Sequence, residues 1–288
     1  MTPVRVAPSW LALREPADAA ARAGDLVDEI RRELPAGRHL VIHDLACGTG
    51  GMVRWLAPRL PGPQHWITYD LDGDLLAVLG AAPAPVAADG SPVTTQIRRR
   101  DVTRLPSRDL ADANLITSSA LLDLLTAEEL GRVVCSCAAA QCRVLITLTV
   151  TGAVRLWPPH PLDEVVAAAF NAHQRRTAGG RRLLGPDAAD AAGRMFTDLG
   201  CDVVDRASPW RLGAATRTLT NAWLAGWLAA ACEQDSRLAA ETRGYAAKRL
   251  ADAAAGRLQV LVQHRDLLVR PGVPQPRSER AVDQLRTR

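Results

Sequence analysis

Lysine is all but missing from this chain: Lys248 is the only one, and the rest of the positive charge is arginine. Base composition accounts for such a bias as readily as function does, so it excludes nothing. Phe and Tyr are nearly as scarce, two of each against seven Trp, so most aromatic mass is tryptophan. No apolar run reaches bilayer-spanning length, and no basic-then-apolar leader pattern is seen, so a soluble cytoplasmic protein without a membrane partner is expected. The six cysteines (Cys47, Cys135, Cys137, Cys142, Cys201 and Cys232) include no CxxC pair and no Cys/His set with zinc spacing. They are expected to be reduced thiols, with no metal site. A concentrated basic stripe is also lacking. The formal charge is +4, and residues 270–288 hold five arginines against Glu279 and Asp283, a net +3 that leaves only +1 for the rest. Outside that segment the basic clusters include Arg98-Arg99-Arg100 and Arg181-Arg182, and the triple run suits a solvated strand edge or loop better than a duplex-binding face.

What is present is an ordinary globular composition, 48% hydrophobic and 23% charged over 288 residues. "SWLALREPADAAARAGDLVDEIRREL" reads as helix interrupted at Pro16, with Leu26, Val27 and Ile30 as its apolar stripe. Short β runs at "HLVIHD", "HWITYD", "TTQIRRRDV", "ANLITSS" and "CRVLITLTV" alternate with helix-like stretches, the layout of a doubly wound α/β sheet. The second half is more helical. It has helices near 163–176, 186–199, 218–232 and 235–255, a sixth strand at "CDVVDRA" and a seventh at "RLQVLVQHRDLLV". Residues 271–288 have no hydrophobic period and read as a disordered tail.

The chemistry begins at "HLVIHDLACGTGGMVRWL". Glycines after a first strand let backbone amides approach a ligand. A dinucleotide fingerprint, GxGxxG, fails here: counted from Gly48, Gly50 fits but the last position is Val53. An acid, Asp44, also precedes the glycines, which suits a cationic ligand and not a pyrophosphate. A second acid, Asp70, ends the next strand about 20 residues on, where nucleoside binders of this layout hold the ribose hydroxyls. Asp72 is the fallback for that role and better suits a helix N-cap.

"VIHDLACGTGG" resembles the first motif of the class I S-adenosylmethionine-dependent methyltransferases. The resemblance spans about residues 40–150, with "RRDVTRLP" and "NLITSSALLDLL" following in the family's order. It implies a Rossmann-like sheet of seven strands, mostly parallel with the last antiparallel, a helical N-terminal cover, and here a helical insertion between strands six and seven. It implies S-adenosylmethionine as cofactor. The cofactor loop would be Asp44, Ala46, Cys47, Gly48 and Gly50. Asp70 and Leu71 would lie at the ribose, Asp101 and Val102 at the adenine, and Ser118, with Ser119, beneath. Arg14 in the cover, beside Trp10, could reach the methionine carboxylate.

The methyl acceptor is less legible. The loop after strand four, "SSALLD", lacks the Asn/Asp-Pro-Pro-aromatic pattern of enzymes acting on base amines, and no Pro-Cys supplies the nucleophile of the cytosine-carbon enzymes. A small-molecule substrate is therefore expected, with nucleic acid disfavoured. The substrate-side candidates are Asp123, His160, Asn171, His173, Gln174 and Arg175, with His173 or His160 as a general base if one is used. "TAGG" after them reads as a lid hinge. Trp223 and Trp227, four apart, read as core or dimer contacts. The expected organisation is a single unit over 1–270, divided into cover (1–36), cofactor half (37–150) and substrate/lid half (151–270), as a monomer or homodimer. Two alternatives remain open: an RNA or other nucleic-acid methyltransferase, and an S-adenosylmethionine-binding protein without methyl transfer.

Overall fold

The computed structural model describes residues 6–34 and 37–272. From residue 273 on, the expected tail lies outside the described residues. Two helices come first, α1 (Pro8–Ala21) and α2 (Gly24–Glu33). β1 (Leu40–Leu45), α3 (Gly51–Leu56), β2 (Gln64–Asp70), α4 (Gly73–Ala81), β3 (Val93–Arg99), β4 (Leu115–Ser119), α5 (Ala127–Ala139) and β5 (Arg143–Trp157) then alternate as read from the sequence. Next, α6 (Leu162–Gln174) leads into a hairpin, β6 (Thr177–Ala178) with β7 (Arg181–Arg182), and on to α7 (Ala188–Asp198), β8 (Asp202–Ala207) and β9 (Trp210–Leu212). A helical block, α8 (Arg217–Gln234), α9 (Leu238–Glu241) and α10 (Arg243–Ala254), precedes the last strand, β10 (Gln259–Arg270).

The main sheet runs β3-β2-β1-β4-β5-β10-β8, with β9 also on β10. β1 to β5 pair in parallel, and β10 is antiparallel to β5, β8 and β9. This is the Rossmann-like α/β sheet that the resemblance implied, with its helical insertion before the last strand. Strand order reverses between β1 and β4, so the crevice that holds ligands in such sheets opens beyond their carboxyl ends.

Both sheet faces are covered, which is why β1 can bury five of its six residues. On one face, Leu26, Val27 and Ile30 of α2 and Met52, Val53 and Leu56 of α3 pack on Leu40, Ile42, Leu115 and Leu145. On the other, Val133 and Val134 of α5 and Ala192 and Phe196 of α7 pack on Leu45, Ile67 and Ile116. α5 starts sharply because Thr126 and Glu129 form a reciprocal capping box. No helix among the described residues is long and apolar enough to cross a membrane.

Three local expectations are corrected. α1 runs through Pro16 without a break. Pro16 removes one N–H, but it and Ala12 are exposed, so the carbonyl left without a partner meets water. The helix stops instead at Arg22-Ala23, where both residues are extended. "TAGG" is a hairpin turn and not a hinge: Gly179 and Gly180 have φ +57° and +76°, the left-handed pair that a tight β-turn needs. β5 runs seven residues beyond Val150, through Gly152 at φ +76° to Trp157. It can continue because β10 pairs with it as far as Trp157↔Gln259, well past the last β4 partner at Thr147. β5 and β10 therefore project beyond the parallel strand ends as a two-stranded arm. β9 pairs along it, with Trp210 opposite Val262.

Candidate functional site

A cavity of about 450 Å³ lies at the switch point, between the strand ends, the β5/β10 arm and α1. Its floor is strained. Ala46, Ala120 and Leu148 follow or end β1, β4 and the parallel part of β5, and each has a left-handed φ of +51° to +57°. These are three of the four such non-glycine residues in the described chain, and all three line the cavity.

On the cofactor side, Asp44, Ala46, Cys47, Gly48, Asp70, Leu71, Asp101 and Val102 line the cavity. The glycine loop is tied to β2 twice: Cys47 N donates to Tyr69 O (2.9 Å) and Gly48 N to Asp70 Oδ2 (2.8 Å). Asp70 Oδ1 accepts from Asp72 N (2.9 Å), so the carboxylate is oriented by backbone donors and keeps lone pairs for a ligand. Asp72 caps α4, accepting from Asp74 N (2.9 Å). Asp101 caps a short turn, its Oδ1 accepting from Thr103 N and Oγ1 (2.9 and 2.7 Å), while its Oδ2 lies 3.6 Å from the exposed Arg104 Nε. Two expected cofactor residues do not reach the cavity. Gly50, at φ +84°, starts α3 and sits against Leu79, where a Cβ would collide. Ser118 is buried and donates to Leu45 O (3.1 Å), leaving Ser119 on the lining.

Asp44 is 1% exposed. One oxygen accepts from Thr117 Oγ1 (2.8 Å), while Oδ2 is buried without a partner. Burial pushes its carboxyl from an ordinary 3.8 up to about 7, against the pull of Thr117 and Arg22.

Arg14 is on the lining but is committed elsewhere. It donates to both oxygens of Asp18 (2.9 and 3.2 Å) and lies over the Trp210 ring at 4.8 Å. Trp210 Nε1 also donates to Asp18 (2.9 Å). Sequence reasoning missed the available guanidinium, Arg22. It is buried at the α1–α2 joint, stacked over Trp55 at 5.0 Å and bonded to Ser119 Oγ (3.2 Å), with Nη1 unpartnered. Its only sequence signature is a charge at the joint of two amphipathic helices. The cover is clamped to the glycine-loop helix by Glu15, which takes two hydrogen bonds from Arg54 at 2.7 Å.

Of the substrate-side candidates, Asp123 and Gln174 line the cavity and four do not. His160 is held in its own loop, accepting from Leu162 N (3.2 Å) and packing on Tyr245 with centroids 4.9 Å apart. His173 faces Glu233 (3.3 Å) on α8. Asn171 donates to Gly152 O (2.9 Å) and supports the β5 bend. Arg175 forks onto Asp187 (2.6 and 2.7 Å). The two proposed histidine bases are thus turned away from the cavity by partners that the helical insertion and α6 supply. Among these candidates Asp123, on the turn after β4, is the titratable one that does reach it. Burial raises its carboxyl to about 6.

Further lining comes from residues that sequence reasoning passed over, among them Leu148, Val150 and Val154 on β5, Val262 and His264 on β10, and Phe170. Trp223, read as a core or dimer contact, also faces the cavity, with Trp227 stacked behind it at 5.4 Å. His264 and Asp266 had a visible sign. They fall on the alternating buried positions of β10, where the other members are Val260, Val262 and Leu268. Asp266 accepts from Ala23 N, Leu148 N (both 2.8 Å) and Ser208 Oγ (2.5 Å), fixing the α1–α2 joint and the strained Leu148 together.

No family model matches the chain, and no curated protein does. Among solved structures it is similar to an S-adenosylmethionine-dependent methyltransferase from Geobacter sulfurreducens in complex with S-adenosylhomocysteine (16% identity, 92% of this chain and 98% of that one, TM-score 0.42). It is similar to one from Methanosarcina mazei (11%, 85% and 98%, TM-score 0.48) and to a cyclopropane synthase from Mycobacterium tuberculosis (12%, 92% and 95%, TM-score 0.47). At these distances the functional reading rests on this chain's own residues.

Proposed function

We propose that this chain is an S-adenosylmethionine-dependent methyltransferase acting on a small molecule, with 37–150 holding the cofactor, 151–270 the acceptor, and 1–36 the cover. The observation that carries the reading is a matched pair of orphaned charges. Asp44 Oδ2 and Arg22 Nη1 belong to residues of the same cavity, and both are buried without a partner. An anion and a cation left so are costly unless a ligand completes them. An amino acid's ammonium and carboxylate do so, and Asp70 nearby adds an acceptor for ribose hydroxyls. S-adenosylmethionine carries all three features.

When bound, that cofactor supplies a methyl group on a sulfonium, which needs no further activation by the protein. The chain's residues then bind, orient and exclude water. Asp70, braced by Gly48 N and Asp72 N, fixes the ribose. Asp44 takes the ammonium and Arg22 the carboxylate. Val102 packs beside the adenine, and Asp101 accepts from its amine. Asp123 replaces His160 and His173 as the group that takes the acceptor's proton: Asp44 is given to the cofactor's ammonium, which leaves Asp123, raised by burial to about 6 and free of any ion pair among the described residues, for the acceptor. The cavity also continues past Ala46 and Ser119 into an aromatic chamber, room that binding without methyl transfer would not require.

The test is incubation with S-adenosylmethionine and fractionated small-molecule extract. Methyl transfer releases S-adenosylhomocysteine in step with a product one methylene heavier, and Asp123→Asn slows it. If no cofactor binds, the proposal fails.

A further inference from the structure

The far half of the cavity has a composition of its own. Trp10, Phe170, Trp210 and Trp223 all line it, four of the chain's eleven Phe, Tyr and Trp residues (two, two and seven), brought together from α1, α6, β9 and α8. In a molecule so poor in aromatics, this convergence makes flat apolar walls suited to a planar ring.

Polar groups interrupt those walls in a definite pattern. Nine buried side-chain atoms in the described residues lack a hydrogen-bond partner, and four of them belong to cavity residues. Two, on Asp44 and Arg22, are assigned above to the cofactor. The other two are Gln174 Oε1 and His264 Nδ1. His264 is 3% exposed, tilted against Trp210 with centroids 5.2 Å apart, and burial lowers its pKa to about 3, so its ring is neutral. Gln174 offers an acceptor. So does Asp123, which no arginine of the described residues contacts as an ion pair. Of the four arginines on the lining, Arg14 is neutralised by Asp18 (2.9 Å) and Arg181 by Glu129 (2.6 Å), Arg22 is assigned above to the cofactor, and Arg100 adjoins Asp101 on the cofactor side. The charge balance of the chamber is therefore that of the Asp123 carboxylate.

We propose that this chamber is the acceptor-substrate site, and that it takes a flat aromatic molecule, neutral or cationic, whose N–H or O–H donors meet Gln174 and Asp123. An anionic acceptor finds no free cation there. The identification of this ligand as the methyl acceptor rests on the methyltransferase reading, but its binding can be read without turnover.

Indoles are suitable probes, titrated by calorimetry with and without saturating S-adenosylhomocysteine. 3-Methylindole keeps the ring N–H and 1-methylindole lacks it. A site built to receive a donor rejects the analogue without one, so the first is expected to bind about tenfold tighter or more. Tryptamine is expected to bind tighter than indole-3-acetate. Gln174→Leu is expected to erase most of the difference between the methylindoles, and Gln174→Met, closer in shape, to do the same. Titration of each variant with S-adenosylhomocysteine serves as its fold control. Equal binding of the two methylindoles, tighter binding of indole-3-acetate, or no indole binding by wild type would overturn the proposal. Failure of the cofactor reading would show separately, as wild type that does not bind S-adenosylhomocysteine while the indole series is still read on the free protein.

Discussion

The Asp44 carboxylate gives the sharpest quantitative prediction, because in the free protein it works against the fold. Its pKa stands at about 7, against an ordinary 3.8. Below about pH 4 the group is protonated in both folded and unfolded states and costs nothing. Between about pH 4 and 7 the folded state keeps a proton that the unfolded chain loses, so stability falls as pH rises. Above about pH 7 the full difference stands. Roughly three units at 1.36 kcal/mol each make it about 4 kcal/mol. Asp44→Asn keeps the shape and the acceptor for Thr117 and removes the buried charge. The new amide donor, if unsatisfied, costs about 1–3 kcal/mol, leaving a net gain of about 2 kcal/mol at pH 8. For a chain of this size that is a rise in Tm of roughly 4–8 °C. At pH 5 the native carboxyl holds its proton and the linkage cost is only about 1.6 kcal/mol, which the amide's own cost offsets, so the gain is expected to vanish. The same variant should lose S-adenosylmethionine affinity, since a neutral amide offers an ammonium an acceptor but no opposite charge. Scanning calorimetry of ligand-free protein at both pH values reads the first effect, and titration with the cofactor reads the second. An Asp44→Asn protein less stable than wild type at pH 8, or equally stabilised at pH 5 and 8, would refute the reasoning.

Other expectations follow from the same geometry. Arg22→Met should weaken S-adenosylhomocysteine binding about 10- to 100-fold, the worth of a charged hydrogen bond, while Arg14→Met should barely change it because Arg14 is spent on Asp18; equal effects would put Arg14 back at the carboxylate. Asp266→Ala strips the acceptor from Ala23 N, Leu148 N and Ser208 Oγ and should cost about 3–5 kcal/mol in urea unfolding; a cost under about 1 kcal/mol would mean those donors find other partners. Tryptamine affinity should rise with pH through about 6 as Asp123 ionises, and Asp123→Asn should flatten that rise. A rise that persists in the variant would assign the titration to another group.

The cofactor side was legible in the sequence because its parts are local. A strand, an acid and a glycine turn lie within Leu40 to Gly50, and Asp70 ends the next strand at a distance set by one helix. The substrate side is tertiary. Trp10, Gln174, Trp210, Trp223 and His264 meet only because β5 and β10 outrun the parallel sheet, and β5's length depends on a partner more than a hundred residues later. His160 and His173 misled for the same reason: a titratable ring in a polar stretch says nothing of Tyr245 or Glu233, which turn these rings aside. Pro16 misled because a helix breaker is judged by whether the freed carbonyl reaches water, and that depends on which face is outside. His264 and Asp266 were readable, as polar residues at the buried phase of an alternating strand.

The central claim is that Asp44, Arg22 and Asp70 form a site for S-adenosylmethionine. Calorimetric titration of that cofactor into wild type and Asp70→Ala at pH 8 tests it directly. The account predicts saturable binding by wild type at one site per chain and binding weaker by about tenfold or more in the variant. Absence of binding by wild type, or equal affinity in the two proteins, would contradict it.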